Sequence, residues 1–259
     1  MHLILTGATG MVGTTVLDAM LKTTDISKIS ILSRRPVQLA EDAKEPRVNV
    51  IIHKDFSSYN PEVLNKIQDA DGCVWALGIS QTQVNKEDYV TITKTYPLAF
   101  ASAFQPGLQT ANKPFNFVYV SGQGSTFKPG LFTPIFGKTK GETELALADI
   151  RKKNPLFQAS TVRPGFVDWI EQDKKVTGYM PDMGVLKTGF GHLLHSVIGF
   201  AMRDNWSPTE PLGGFLTGLA MGKWSGELKG LQGGEGQVLE GGFPVVENKF
   251  MRRVMGLDR

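Results

Sequence analysis

The chain has a single cysteine. Cys73 lies in an apolar stretch with no second thiol, so no disulfide forms within the chain, which fits a reducing compartment. No apolar run reaches the length that spans a bilayer. Neither sign of charge dominates: 28 Lys and Arg against 25 Asp and Glu leave a formal net charge of +3, too little for a nucleic-acid-binding surface. The first apolar strand begins at His2, which leaves no room for a signal or transit peptide. The nucleophile-elbow pattern G-x-S-x-G is missing, since the chain reads Val118-Tyr119-Val120-Ser121-Gly122, and this argues against a hydrolase. His192 and His195 share a helix face but lack the further Cys, His or Asp that would complete a metal site. These absences predict a soluble cytoplasmic chain with no membrane span, no metal and no nucleic-acid partner. At 259 residues it is long enough to bury one large core.

What is present is an alternation. His2–Thr6, Ile29–Leu32, Val48–Ile52, Gly72–Ala76, Phe115–Val120 and Phe157–Val162 are short and apolar on both faces, as buried parallel strands are. Helical patterns lie between them. In Glu87–Phe104 the residues Tyr89, Ile92, Tyr96, Phe100 and Ala103 recur at helical spacing, with Pro97 set to kink the run or mark its restart. Gly141–Arg151 reads as another helix, with Glu142, Glu144 and Arg151 among its polar positions. Strands alternating with helices predict an α/β fold, a Rossmann-type doubly wound parallel sheet.

The rhythm breaks after residue 165. A mostly apolar helical stretch at 183–203, a second from Leu212 to Met221, a mobile glycine-rich segment Gly226–Gly242 and a last helix near Val246–Met255 predict a small, mostly helical C-terminal cap. The chain thus reads as one NAD(P)-binding domain, 1–259, with a nucleotide-binding core at 1–167 and a substrate or cap region at 168–259. The helix at 183–203 reads as a lid or as the contact of a homodimer. Trp169, Tyr179, Met180, Met183 and Phe190 suggest an apolar substrate pocket, or else the core of the C-terminal region.

The first turn carries the most specific chemistry. Gly7, Gly10 and Gly13 follow a strand and open a helix. Gly7 permits a sharp turn, Gly10 leaves room for a phosphate and Gly13 lets helix and strand pack closely. Free N–H groups at the helix start attract the anion, so Thr9, Met11 and Val12 join the three glycines as expected cofactor contacts. The second strand ends in Ser33-Arg34-Arg35-Pro36, where an NAD-selective site offers Asp or Glu. Two arginines suit a ribose 2′-phosphate instead, and the expected cofactor is NADP(H). Asp55 and Phe56, after the third strand, are expected beside the adenine, with Asp55 accepting from its amino group. Ala76, Leu77 and Gly78 are expected beside the ribose.

These residues resemble the short-chain dehydrogenase/reductase superfamily. The likeness rests on G-x-x-G-x-x-G at the first turn, Ala76-Leu77-Gly78, Val118-Tyr119-Val120-Ser121-Gly122, Lys140 with Gly141-Glu142-Thr143-Glu144, and Arg163-Pro164-Gly165. It is most similar to the atypical, NADPH-binding branch typified by the Tat-interacting tumour-suppressor reductase, and covers roughly residues 1–170. The resemblance implies that Ser121 holds the substrate carbonyl and that Lys140 binds the nicotinamide ribose. It implies that Pro164, Gly165 and Val167 face the nicotinamide carboxamide. In that family a tyrosine stands four residues before the lysine and gives the proton. Here Phe136 stands there, and a phenyl ring has no proton to give. Three expectations follow. Another acid has taken the role, with Tyr179 and then Tyr96 as relocated donors, Asp168 if burial raises its pKa, and Lys138 only if desolvated; Tyr119 reads as core. Or the protein binds NADPH as a sensor or scaffold, without turnover. Or the pocket runs an isomerisation or cyclisation. The leading expectation is an NADPH-dependent oxidoreductase of a small or medium-sized, mostly apolar carbonyl or imine.

Overall fold

Each of the six apolar segments forms a strand in the computed structural model, which describes residues 1–170, 172–181 and 203–258. The predicted helix at 183–203, with Met183, Phe190, His192 and His195, lies outside the described residues apart from Arg203. The six strands are β1 (His2–Thr6), β2 (Lys28–Ser33), β3 (Val48–Ile52), β4 (Gly72–Trp75), β5 (Phe115–Val120) and β6 (Phe157–Arg163), all mutually parallel. A short parallel pair stands apart, β7 (Phe166–Asp168) with β8 (Trp206–Pro208). Two more strands, β9 (Gly236–Leu239) and β10 (Phe243–Glu247), complete an eight-stranded sheet of order β3-β2-β1-β4-β5-β6-β10-β9, in which only the β10–β9 pair is antiparallel. The fold is a mostly parallel sheet flanked by helices, a Rossmann-like α/β architecture.

The helices are α1 (Met11–Lys22), α2 (Gln38–Ala43), α3 (Pro61–Ile67), α4 (Lys86–Val90), α5 (Tyr96–Ala111), α6 (Ile135–Lys153), α7 (Lys174–Thr177), α8 (Thr209–Ala220), α9 (Ser225–Leu228) and α10 (Asn248–Val254). Successive strand residues feed opposite cores. Leu3, Leu5, Ile29, Ile31, Val74 and Val118 face one core, which α1 and α8 complete with Val16, Leu17, Phe215 and Leu216. Ile4, Leu32, Trp75, Phe117 and Tyr119 face the other, closed by Phe100 and Phe104 of α5 and Leu147 of α6.

One local reading holds and two are corrected. The run restarts at Pro97, which stands in the first turn of α5, after a π-helical turn, Thr91–Thr95, that separates α4 from α5. Pro97 has no N–H for the carbonyl of Thr93, which instead accepts from the Tyr119 hydroxyl at 3.0 Å and the Thr143 hydroxyl at 3.3 Å. The segment Gly226–Gly242, read as glycine-rich and mobile, contains α9 and β9. The helix read near Val246–Met255 begins only at Asn248, because Phe243–Glu247 is the buried strand β10. The C-terminal portion therefore returns to the sheet. α8 also packs along α1, where a Cβ on Gly213 would stand 2.5 Å from the Thr15 carbonyl oxygen.

Candidate functional site

The chain leaves β1 at Gly7, whose φ of +72° lies in the left-handed region. A Cβ there would meet the Ala76 carbonyl oxygen at 2.4 Å, and one on Gly13 would meet the Gly7 carbonyl oxygen at 1.9 Å. Only glycine lets β1, β4 and α1 converge this closely. No side chain caps α1 and no acidic residue sits in its first turn, so its leading N–H groups are open to an anion.

A cleft of about 720 Å³ runs from this turn along the carboxyl ends of β4, β5 and β6. It lies where the strand order reverses between β1 and β4, the usual ligand position of doubly wound sheets. Gly10, Met11, Val12, Ala76, Leu77 and Gly78 line one end, and Ser121, Phe136, Lys140, Pro164, Gly165 and Val167 the other. A separate recess of about 400 Å³ is walled by Gly7, Thr9, Ser33, Arg34, Arg35, Phe56 and Leu77. Arg34 and Arg35 are exposed, and among the described residues neither has a carboxylate in salt-bridge reach. Ser33 fixes their turn by donating to the Arg35 carbonyl at 2.7 Å. Asp55 is absent from this wall. Its carboxylate accepts from the Ser57 backbone N–H at 2.9 Å, the Ser57 hydroxyl, and the Ser58 hydroxyl at 2.8 Å. Those bonds hold its pKa low and spend it on its own turn. Phe56, 1% exposed, forms the recess wall from the core side.

At the far end of the cleft, α6 carries Phe136 and Lys140 one turn apart on one face. The Lys140 ammonium stands 5.3 Å from the Phe136 ring centroid and donates to the Ser121 carbonyl at 2.5 Å. Desolvation pulls its pKa down to about 8, against the opposing pull of Glu144. The Phe136 ring packs over Gly122, where a Cβ would lie 3.3 Å from ring atoms Cε2 and Cζ. Gln81 accepts from the Phe136 backbone N–H at 3.1 Å, tying the loop after β4 to the start of α6.

Ser121 is 4% exposed, and its hydroxyl lies 2.9 Å from that of Ser125. The Ser125 hydroxyl donates to the Gly122 carbonyl at 2.8 Å. A hydroxyl has one proton, so Ser121 is the donor to Ser125, and its own lone pairs are what it offers its surroundings. Ser125 escaped the sequence reading, although the S-x-x-x-S spacing was there to see.

The relocated acids do not gather here. The Tyr179 hydroxyl donates to Asp42 at 2.8 Å, a bond that raises its pKa, and Tyr179 lines a different recess with Met180, Thr9 and Arg35. Asp168 is 2% exposed and accepts from the Ile170 N–H and the Trp206 indole N–H, both at 2.9 Å; its neighbour Val167 takes the cleft side of β7. Tyr96 packs 5.9 Å from Phe56, centroid to centroid, and Lys138 is exposed. Tyr119, read as core, is buried and bonded to Thr93, yet with Thr93 it also reaches the cleft wall. Trp169 does not line the cleft, so the suggested apolar group of Trp169, Tyr179 and Met180 does not surround Ser121. Among the described residues no three His, Cys, Asp or Glu side chains could hold a metal, and no helix is long and apolar enough to cross a membrane.

No family model matches the chain. Botcinic acid biosynthesis cluster B protein 16 of Botryotinia fuckeliana is 41% identical over 144 residues, 56% of this chain and 88% of that protein. The chain belongs to the same family as that protein. Leucinostatins biosynthesis cluster protein T of Purpureocillium lilacinum is 44% identical over 124 residues, 48% of this chain but only 44% of that longer relative. Among solved structures, an oxidoreductase of the short-chain dehydrogenase/reductase family from Burkholderia thailandensis superposes with a TM-score of 0.63 at 13% identity, over 99% of this chain and 96% of its own. L-sorbose reductase of Gluconobacter frateurii, solved with NADPH and L-sorbose, gives 0.58 at 18% identity, over 85% of this chain and 89% of its own. At these identities the agreement is one of fold.

A buried ion pair fixes the α6 end of the cleft. Arg163, at the end of β6, donates from Nε and Nη2 to the two oxygens of Glu144 at 3.1 and 2.5 Å, and from Nη1 to Glu247 of β10 at 3.0 Å. Glu144, read from sequence as a polar helix position, is fully buried. It lies one turn beyond Lys140, so this bidentate clamp holds α6 against β6 and the adjoining Pro164-Gly165.

Proposed function

We propose that the chain is an NADPH-dependent oxidoreductase of the short-chain dehydrogenase/reductase type, of its atypical branch, acting on a mostly apolar carbonyl or imine. The carrying observation is one cleft that starts at the uncapped helix behind Gly7 and Gly10 and ends at Ser121, Phe136 and Lys140. The residues fit a dinucleotide: Gly7 and Gly13 have no room for a Cβ, and Arg34 and Arg35, without an acidic partner among the described residues, stand beside them to take a 2′-phosphate. Reduced nicotinamide supplies a hydride when bound. Lys140 would hold the ribose hydroxyls, and the Pro164-Gly165 backbone would meet the carboxamide. The biosynthetic-cluster relatives and the NADPH complex of L-sorbose reductase support a reductase of small metabolites.

Phe136 narrows the substrate. A carbonyl needs a proton as it accepts a hydride, whereas a preformed iminium carries its positive charge already and needs none. Among the described residues the cleft offers no carboxylic acid or histidine, and the Ser121 proton is turned toward Ser125. These features favour the imine over the carbonyl. They equally favour a second reading, an NADPH-binding regulator or a cofactor-bound isomerase. NADPH consumption against a panel of ketones and cyclic imines, in wild type and in Lys140→Ala, separates them. A reductase consumes NADPH with imines and loses this in the variant. A regulator binds NADPH and consumes none.

A further inference from the structure

A second cleft, of about 460 Å³, opens near the amino ends of β5 and β6, away from the carboxyl ends where Ser121 lies. Its volume suits a small ligand. Arg151 from the last turn of α6, Lys223 from the turn after α8 and Lys229 at the end of α9 line it, and among the described residues no carboxylate does. Arg151 is half-buried. Its guanidinium donates from Nη1 to the Ala159 carbonyl at 2.7 Å and has no acidic partner among the described residues. Burial therefore pulls its pKa below the ordinary value with nothing to offset the charge.

A second, independent feature points the same way. Ser160, on the face of β6 that lines this cleft, is 6% exposed, and its hydroxyl makes no hydrogen bond among the described residues. That oxygen is open to the cleft and not sealed in the core, so the hydroxyl is free to donate to a ligand atom there. The turn bearing Lys223 is also held in an unusual backbone: Gly222 has φ +82°, and Trp224, at φ +59°, takes a left-handed conformation that bulky residues rarely adopt. Trp224 is locked there against Phe215, ring centroids 5.3 Å apart. Leu228 and Val238 form an apolar wall beside these polar groups.

We infer that this second cleft binds a small organic anion, a carboxylate or phosphate ester with an apolar body. Arg151 and Lys223 hold the anionic oxygens, the Ser160 hydroxyl donates to one of them, and the apolar body lies on Leu228 and Val238. Calorimetric titration with phenyl phosphate, phenylacetate and inorganic phosphate tests this. At least one aromatic anion binds more tightly than inorganic phosphate, and the tighter of the two identifies the charged group. Lys223→Gln and Arg151→Gln each weaken that binding about tenfold or more, as loss of a charge-assisted contact does. Arg34→Gln, beside the other cleft, leaves it unchanged. Arg151→Gln also removes a bond to the Ala159 backbone, so Lys223→Gln, on an exposed turn, gives the decisive reading. The inference is overturned if neither aromatic anion binds, if inorganic phosphate binds as tightly, or if Arg34→Gln abolishes binding while Lys223→Gln does not.

Discussion

Replacing Phe136 with tyrosine adds one hydroxyl to a ring whose surroundings are fixed. Ring atoms Cε2 and Cζ face Gly122, the Lys140 ammonium stands 5.3 Å from the ring centroid, and the cleft lies on the same side. A hydroxyl on Cζ therefore projects one C–O bond beyond the ring edge, beside Gly122 and within the field of Lys140. That positive charge favours the phenolate and so lowers the phenol's pKa, which makes it the better proton donor. A positioned acid contributes about a hundred- to ten-thousand-fold, or roughly 3–5 kcal/mol of barrier. A buried hydroxyl left without a partner costs about 1–3 kcal/mol of stability, so a variant of near wild-type stability has found one. The assay compares kcat for a ketone and for a preformed cyclic iminium. Phe136→Tyr raises ketone reduction toward the stated range and leaves iminium reduction within about twofold, since an iminium needs no proton. Unchanged ketone turnover, in a variant that still binds NADPH, would refute the reasoning about the missing acid.

Arg34→Asp weakens NADPH binding by about tenfold or more and NADH binding far less, because only NADPH offers a 2′-phosphate; parallel calorimetric titrations read the difference. Glu144→Gln breaks a fully buried bidentate pair and costs about 3 kcal/mol in urea unfolding, the low end of the usual range because Glu247 still faces Arg163. Glu142→Gln, two positions earlier on the same helix in a partly exposed pair with Lys94, costs under about 1 kcal/mol. Lys140 is protonated below about 8, so NADPH affinity is greatest there and falls as pH rises through that value; a profile of Kd against pH is flat in Lys140→Met. Its folded pKa lies below the ordinary 10.5, so the unfolded chain binds more protons between the two values and the Lys140 contribution to stability rises with pH across that window.

The first six strands were legible because each is a short apolar run ending in turn chemistry, and the glycines at 7, 10 and 13 mark the switch point of the sheet. The C-terminal half was not. β10 hides behind Pro244, and β9 lies in a glycine-rich stretch whose composition argues for a loop. Within the cleft, helical spacing was enough to set Phe136 and Lys140 on one face. The tyrosines were harder, because neither Tyr179 nor Tyr96 carries a sequence mark of where its hydroxyl ends up, and the Asp42 that claims Tyr179 lies 137 residues away. Glu144 looked like any polar helix position, since its buried partner Arg163 belongs to another element. Burial of a charge is decided by tertiary contacts that periodicity does not encode.

Transfer of label from NADPH carrying deuterium at both nicotinamide C4 positions tests the central claim most directly. With a cyclic imine as substrate, mass spectrometry of the product finds one deuterium on the former imine carbon, with loss of label from the cofactor in equal amount, and Lys140→Ala abolishes the transfer. Product that forms without deuterium, or NADPH recovered with its label intact across the whole substrate panel, contradicts the claim that this cleft delivers a hydride.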